Sequence, residues 1–144
     1  MTSFAIPPKY VAQLEPVKVA DERPDDEILR GLTRHIPVTS EKNIWAYWHA
    51  GVLAMPAWCR RNVADWVRIC GDGWTVRVLD PDPASANYAL RYLDPKLLPE
   101  AFCARTMDGP YSGPHAADFI RGAALYQHGG AFMDVGSILI RHMD

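Results

Sequence analysis

The sequence has little cysteine: Cys59, Cys70 and Cys103 are its three in 144 residues. The count is odd and no pair has CxxC spacing, so neither a disulfide framework nor a zinc site is supported. Cys59 and Cys70 stand about three helical turns apart and are expected on one buried helix face, reduced. An excess of basic charge is also missing. Lys and Arg number 15 against 17 Asp and Glu, a formal net charge of −2. With no Lys/Arg stripe interleaved with aromatics, nucleic acid and anionic membrane are poor expectations as partners. No apolar run is long enough to span a bilayer. Met1–Pro8 has no basic patch leading into an apolar run, so no signal peptide is expected and the segment reads as soluble as given. There is no P-loop, GxGxxG, HExxH or GxSxG motif, and no internal repeat. His35, His49, His115, His128 and His142 have no metal-ligand spacing, and Gly71-Asp72-Gly73 reads as a turn.

What is present suits one globular domain. The hydrophobic fraction is 49%, enough for a core at this length. Five tryptophans are many for such a chain. Most are expected in the core, since an indole buries a large area.

Residues 1–41 read as a lead-in, partly extended. They hold Pro7, Pro8, Pro16, Pro24 and Pro37, and an acidic cluster of Asp21, Glu22, Asp25, Asp26 and Glu27. One short helix is expected over Pro24 to Leu32. Residues 42–144 read as the compact part. Ile44 to Trp48 is a short apolar and aromatic run, expected as a buried first strand that ends at Gly51. Pro56 opens a helix on which Cys59, Val63, Trp66, Val67 and Cys70 share a face. Trp74 to Leu79 alternates and is β-branched, a second strand. One or two short helices are expected over residues 84–104, a loop from Thr106 to Pro114, and a helix from His115 to His128 stopped by Gly129-Gly130. Ala131 to Val135 and Ser137 to Ile140 read as one bent strand or two short ones. This alternation predicts an α/β fold with a mostly parallel sheet. The chain stops soon after that last strand, where covering elements are expected, so it reads as a truncated domain.

Three groups of residues carry candidate chemistry. Asp118 and Arg121 lie three apart on a mostly apolar helix and share a face. Ionised groups on a buried helix need partners, which favours a ligand over a surface salt bridge. Asp134 arrives where the strand after Gly129-Gly130 emerges. The carboxyl end of a strand is where open α/β sheets bind ligands. A carboxylate there can hold a hard divalent ion, or merely cap a turn. Trp48, followed by His49-Ala50-Gly51, ends the first strand with a ring able to stack on a nucleobase or to fill core.

Ile44 to Gly51, Ala117-Asp118-Phe119-Ile120-Arg121 and Leu125 to Asp134, in this order, resemble the capsular polysaccharide synthesis proteins, relatives of glycosyltransferase family 32 and of other sugar transferases with a DxD motif. The resemblance runs from Lys42 to Ile140. Its specific part is the acid-x-x-Arg helix followed by Gly-Gly-x-x-x-Asp. It implies a GT-A fold, of which this chain would be the donor-binding part. It also implies a nucleotide-sugar donor (a UDP- or GDP-sugar), a glycan or polysaccharide acceptor, and a retaining reaction. Trp48 would flank the base, Asp118 bind hydroxyls of the donor sugar, Arg121 contact sugar or diphosphate, and Asp134 bind Mn²⁺ or Mg²⁺ as the first acid of the DxD. Gly136 stands where the second acid would be, and Ser137 is left to supply an oxygen. A nucleotide-binding domain without catalysis, and a structural domain in which Asp118 and Arg121 merely pair, are the alternatives.

Overall fold

The computed structural model describes residues 5–13, 19 and 21–144. Residues 1–4 and Pro16, part of the lead-in, lie outside the described residues. Helix α1 (Pro8–Val11) is a single turn, and α2 (Asp25–Gly31) follows with three acids in its first turn and Arg30 in its last, the arrangement the helix dipole favours. Strand β1 (Asn43–Tyr47) leads to α3 (Ala57–Cys70) and then to β2 (Thr75–Leu79). Two 3₁₀ turns and α4 (Glu100–Cys103) precede the long α5 (Ser112–His128) and the short β3 (Ala131–Phe132).

The sheet order is β2-β1-β3, and both pairings are parallel. All three strands therefore end on the same side. β1 is central and every residue in it is buried, as a strand covered on both faces must be. Ile44 and Ala46 face a core of Cys59, Val63, Trp66 and Cys70 from α3, with Leu29 from α2 and Val76 and Val78 from β2. Trp45 and Tyr47 face the other core, with Leu79, Tyr92, Phe102 and four residues of α5: Ala116, Ile120, Ala123 and Ala124. These four fall at i, i+4, i+7 and i+8, and three are alanine, so α5 can lie close to the sheet. Cys59 and Cys70 are both free and buried, as the helical spacing predicts. The small parallel sheet with helices on both faces is the α/β layering expected.

Three features differ from the sequence reading. α5 begins at Ser112, not His115, because Pro114 lies in its first turn, where its missing N–H has no intrahelical partner to lose. The last strand is only Ala131–Phe132. Phe132 and Met133 are half-buried, and Ser137 to Ile140 form no strand, leaving Ile138 and Ile140 exposed. Instead the chain turns at Val135-Gly136 and runs along α3, where Asn62 donates to the Val135 carbonyl (3.2 Å) and the Trp66 indole to that of Ser137 (3.0 Å). Finally, the lead-in is partly core: Ile28 and Leu29 of α2 are almost fully buried. Residues 84–104 hold one short helix, as expected, together with two 3₁₀ turns. Among the described residues, no helix is long and apolar enough to cross a membrane.

Gly129 and Gly130 make the turn from α5 into β3 at φ 71° and 101°. A Cβ at Gly130 would lie 2.3 Å from the Asn43 carbonyl oxygen, so that close approach requires glycine. Arg77 fastens the lead-in from the β2 side. Only 4% exposed, it donates Nε to Asn43 Oδ1 (3.0 Å), one terminal nitrogen to the Pro37 carbonyl (3.2 Å) and the other to that of Ile36. Its guanidinium also stands 5.4 Å from the Trp45 ring centre and 5.2 Å from that of Tyr92. Burial draws its pKa below the ordinary value. Arg77→Met removes the donor of three acceptors and should cost about 2–3 kcal/mol in urea unfolding, with Arg77→Lys recovering part of it. An unchanged midpoint for Arg77→Met would contradict this role.

Candidate functional site

The parallel strands bring Trp48 and His49 (after β1), Asp80 (after β2) and Asp134 (after β3) to one edge of the sheet. The Trp48 N–H donates to the Leu79 carbonyl (3.0 Å) and the Met133 N–H to that of Trp45 (2.9 Å), so the ladder extends just past the strands and fixes where these side chains emerge. α5 starts above this edge. A cavity of about 470 Å³ opens there, lined by Trp48, His49, Pro114, Asp118, Arg121 and Asp134 among others. All four site residues expected from the sequence (Trp48, Asp118, Arg121 and Asp134) are in its wall.

Arg121 is the centre of its charge. Its guanidinium lies 3.5 Å from Asp118 and 3.6 Å from Asp134, with its carbon 5.1 Å from the centre of the Phe132 ring. Both oxygen distances exceed the 2.7–2.9 Å or so of a charge-assisted hydrogen bond. The side chain is thus steered by two carboxylates without being tied to either, and its donors remain available. The side chains of Asp118 and Arg121 are 65% and 45% exposed. This corrects the premise that they are charges on a buried helix. Ala116 and Ile120 take the core side of α5, while Asp118 and Arg121 point to the cavity and solvent. Desolvation therefore does not force a ligand on them; what singles them out is their place opposite Asp134. So exposed a pair contributes little to stability.

Trp48 is half-buried, and its Nε1 is the one buried side-chain polar atom without a hydrogen-bond partner among the described residues. Its ring lies 4.9 Å from that of His49, at a tilt. Trp45, by contrast, is fully buried and donates Nε1 to the Gly129 carbonyl (3.0 Å), a core role.

The sequence reading missed several lining residues. His49 borders the main cavity and two neighbours. One is about 220 Å³, with Tyr47, Phe102, Met107 and Arg105 in its wall; the other is about 420 Å³, with Asp80, Asp82, Ser85 and Arg105. Asp80 is buried, accepting from Ser85 Oγ (2.6 Å) and the Asp82 N–H (3.0 Å), and so shapes the loop after β2. Position just beyond a strand end was the available signal for His49 and Asp80. Arg105, at φ 59°, offered none.

Among the described residues no group of three or more His, Cys, Asp or Glu is placed to hold a metal. Asp118 and Asp134 offer two carboxylates on the wall of the same cavity. That set fits Mg²⁺ or Mn²⁺ of the kind held by one or two carboxylates plus substrate phosphates, not a site built from protein alone.

The sequence is similar over nearly all its length to proteins named as glycosyltransferases. It is 54% identical, over 98% of the chain, to "Probable glycosyltransferase FCK3" of Fusarium pseudograminearum. It is 49% identical over 94% to "O-glycosyltransferase PaGT" of Phomopsis amygdali, and 43% identical over 99% to "O-glycosyltransferase braB" of Annulohypoxylon truncatum. The matches cover 36%, 33% and 34% of those proteins, so the chain spans about a third of the length of the curated relatives it matches. No family model matches, and no solved structure does. The expectation of a glycosyltransferase is thereby supported at the level of class. The relatives' names say nothing of capsule, of family 32 or of a DxD motif.

Tyr47, at the back of the site, gives a pH test. Its phenol is pushed up from 10.0 to about 12, by burial first and then by the charge of Asp80. A raised folded pKa means the neutral form is favoured in the folded state. The contribution is intact below pH 10 and is lost as pH rises toward 12. Urea midpoints should therefore fall between pH 9 and about pH 11 in the parent chain and fall less in Tyr47→Phe. Equal falls would contradict the assignment.

Proposed function

We propose that the cavity is the donor site of a glycosyltransferase that moves a sugar from a nucleotide sugar to a hydroxyl of a glycan or other acceptor. The observation that carries this reading is the convergence of Trp48, Asp118, Arg121 and Asp134 on one cavity at the carboxyl edge of a parallel sheet. The relatives' names support the class, and two of them are called O-glycosyltransferases.

Glycosyl transfer breaks the bond between the anomeric carbon and the diphosphate oxygen, forms one to the acceptor oxygen and releases the acceptor proton. Negative charge develops on the departing phosphate oxygens. Arg121 is suited to receive it, because its planar fork matches phosphate oxygens and its present partners hold it loosely. Donors aimed at developing charge are a large contribution to catalysis. Asp118, exposed and one helical turn before Arg121, is placed to accept hydrogen bonds from the donor sugar. The Trp48 ring would flank the base. Two acids and one base leave these three charged residues at a net −1, to which a diphosphate adds further negative charge. That balance supports Mn²⁺ or Mg²⁺ as cofactor, with Asp134 as the protein ligand, and the ion would neutralise the diphosphate. The expected GT-A fold and a retaining outcome belong to this reading through the resemblance to family 32.

A non-catalytic nucleotide-binding domain is the second reading, favoured by Gly136 in place of a second acid. It predicts binding without donor hydrolysis.

The test is thermal unfolding with UDP-glucose and GDP-mannose, each with and without Mn²⁺. A ligand at a hundred times its Kd stabilises by about 2.7 kcal/mol, a rise in Tm of several degrees. Arg121→Ala should abolish that rise while moving the unliganded Tm little, since its ion pairs are exposed. If the parent chain shows no rise with any nucleotide sugar, or Arg121→Ala keeps it, the donor-site reading is wrong.

A further inference from the structure

Gly136 lines the cavity two residues beyond Asp134, and Trp58 lies against it. A Cβ at 136 would stand 3.1 and 3.2 Å from ring atoms Cζ3 and Cη2 of Trp58, closer than side chains ordinarily pack. The backbone at 136 has no positive φ, so room for the indole, and not conformation, is what glycine provides here. Trp58 itself is 63% exposed. Trp45 and Trp66 are fully buried with their N–H groups on backbone carbonyls, and Trp48 and Trp74 are partly buried against the core. Trp58 belongs to neither core and is on the solvent side of α3, beside the buried Cys59. It thus presents a broad apolar ring to solvent beside the wall of the cavity that holds Asp118, Arg121 and Asp134.

We propose that Trp58 is a positioning residue for the acceptor: an acceptor with an apolar ring face, either the C–H face of a pyranose or an aromatic ring, stacks on its indole at the edge of the cavity. The proposal rests on the donor-site reading above. With the donor sugar inside, the acceptor body must extend outside the cavity, and Trp58 is an exposed aromatic ring that lies against its wall at Gly136. Stacking orients such a body without drawing hydrogen bonds from the reacting hydroxyl. Gly136 acquires a reason as well: its missing side chain leaves room for the indole against the cavity wall. That same packing stands in the way of a larger residue at 136.

The experiment is fluorine NMR on the chain carrying 5-fluorotryptophan, with the Trp58 and Trp48 resonances assigned through Trp58→Phe and Trp48→Phe. The acceptor probes are methyl β-D-glucopyranoside and phenyl β-D-glucopyranoside, which separate a pyranose face from an aromatic one; the donor probe is UDP-glucose or GDP-mannose. The donor should move Trp48, and at least one glucoside should move Trp58 while leaving Trp45 and Trp66 in place. In ligand-observed titrations, Trp58→Ala should weaken that glucoside about five- to tenfold, the loss of one ring contact, with Trp58→Phe close to the parent chain. Gly136→Ala should weaken it too, through displacement of the ring. A Trp48 response to donor with no Trp58 response to either glucoside, or glucoside binding unchanged in Trp58→Ala, overturns the acceptor role alone. No Trp48 response to any donor overturns the donor-site reading and, with it, this proposal.

Discussion

β1 is hydrogen-bonded along both edges and buried on both faces, and the placement of every candidate site residue depends on that. A central strand with parallel neighbours requires the chain to return to the same end of the sheet before each new strand. α3 and α5 make the two long returns, one on each face. The outcome is that Trp48, Asp80 and Asp134, far apart in the chain, leave the sheet side by side. α5 then descends across this edge, and its polar side carries Asp118 and Arg121 to the same place. The close turn at Gly129-Gly130 fixes how β3 meets β1, and so where Asp134 stands.

Within the cavity, the arrangement of one guanidinium between two carboxylates is suited to exchange. Arg121 is near enough to both acids to be oriented and too far from either for a strong hydrogen bond. An anionic ligand can take over its donors at little cost. The surroundings are apolar or small: Phe132 under the guanidinium, Ala117 on the wall, and Gly136 opening the side toward Trp58. The two carboxylates and the Phe132 ring orient the guanidinium, and its donors are left for a ligand.

Much of this was legible in the sequence, for local reasons. The aromatic run of β1, the helical spacing of Cys59, Val63, Trp66 and Cys70, and the β-branched alternation of β2 each carry their own period. The glycine pair after α5 carries its own steric demand. The four site residues were legible by type and order, and the structure brings them to one cavity; the chemistry assigned to each remains part of the proposal. What was not legible depended on distant partners. Ser137 to Ile140 has the apolar content of a strand, but side-chain hydrogen bonds from Asn62 and Trp66 to the Val135 and Ser137 carbonyls hold the segment against α3. Arg77 sits in an alternating strand where an exposed position would suit it, yet carbonyls of Ile36 and Pro37 close over it. The apolar neighbours of Asp118 and Arg121 suggested buried charges, whereas only one side of α5 is covered.

On the proposed reading, a nucleotide sugar occupies the space between Trp48 and Arg121. A crystal structure of the chain soaked with UDP-glucose or GDP-mannose and Mn²⁺ tests it most directly. The diphosphate should lie within hydrogen-bonding distance of the Arg121 guanidinium and the base against the Trp48 ring. Nucleotide density at another surface, with Arg121 still directed at Asp118 and Asp134, would contradict it.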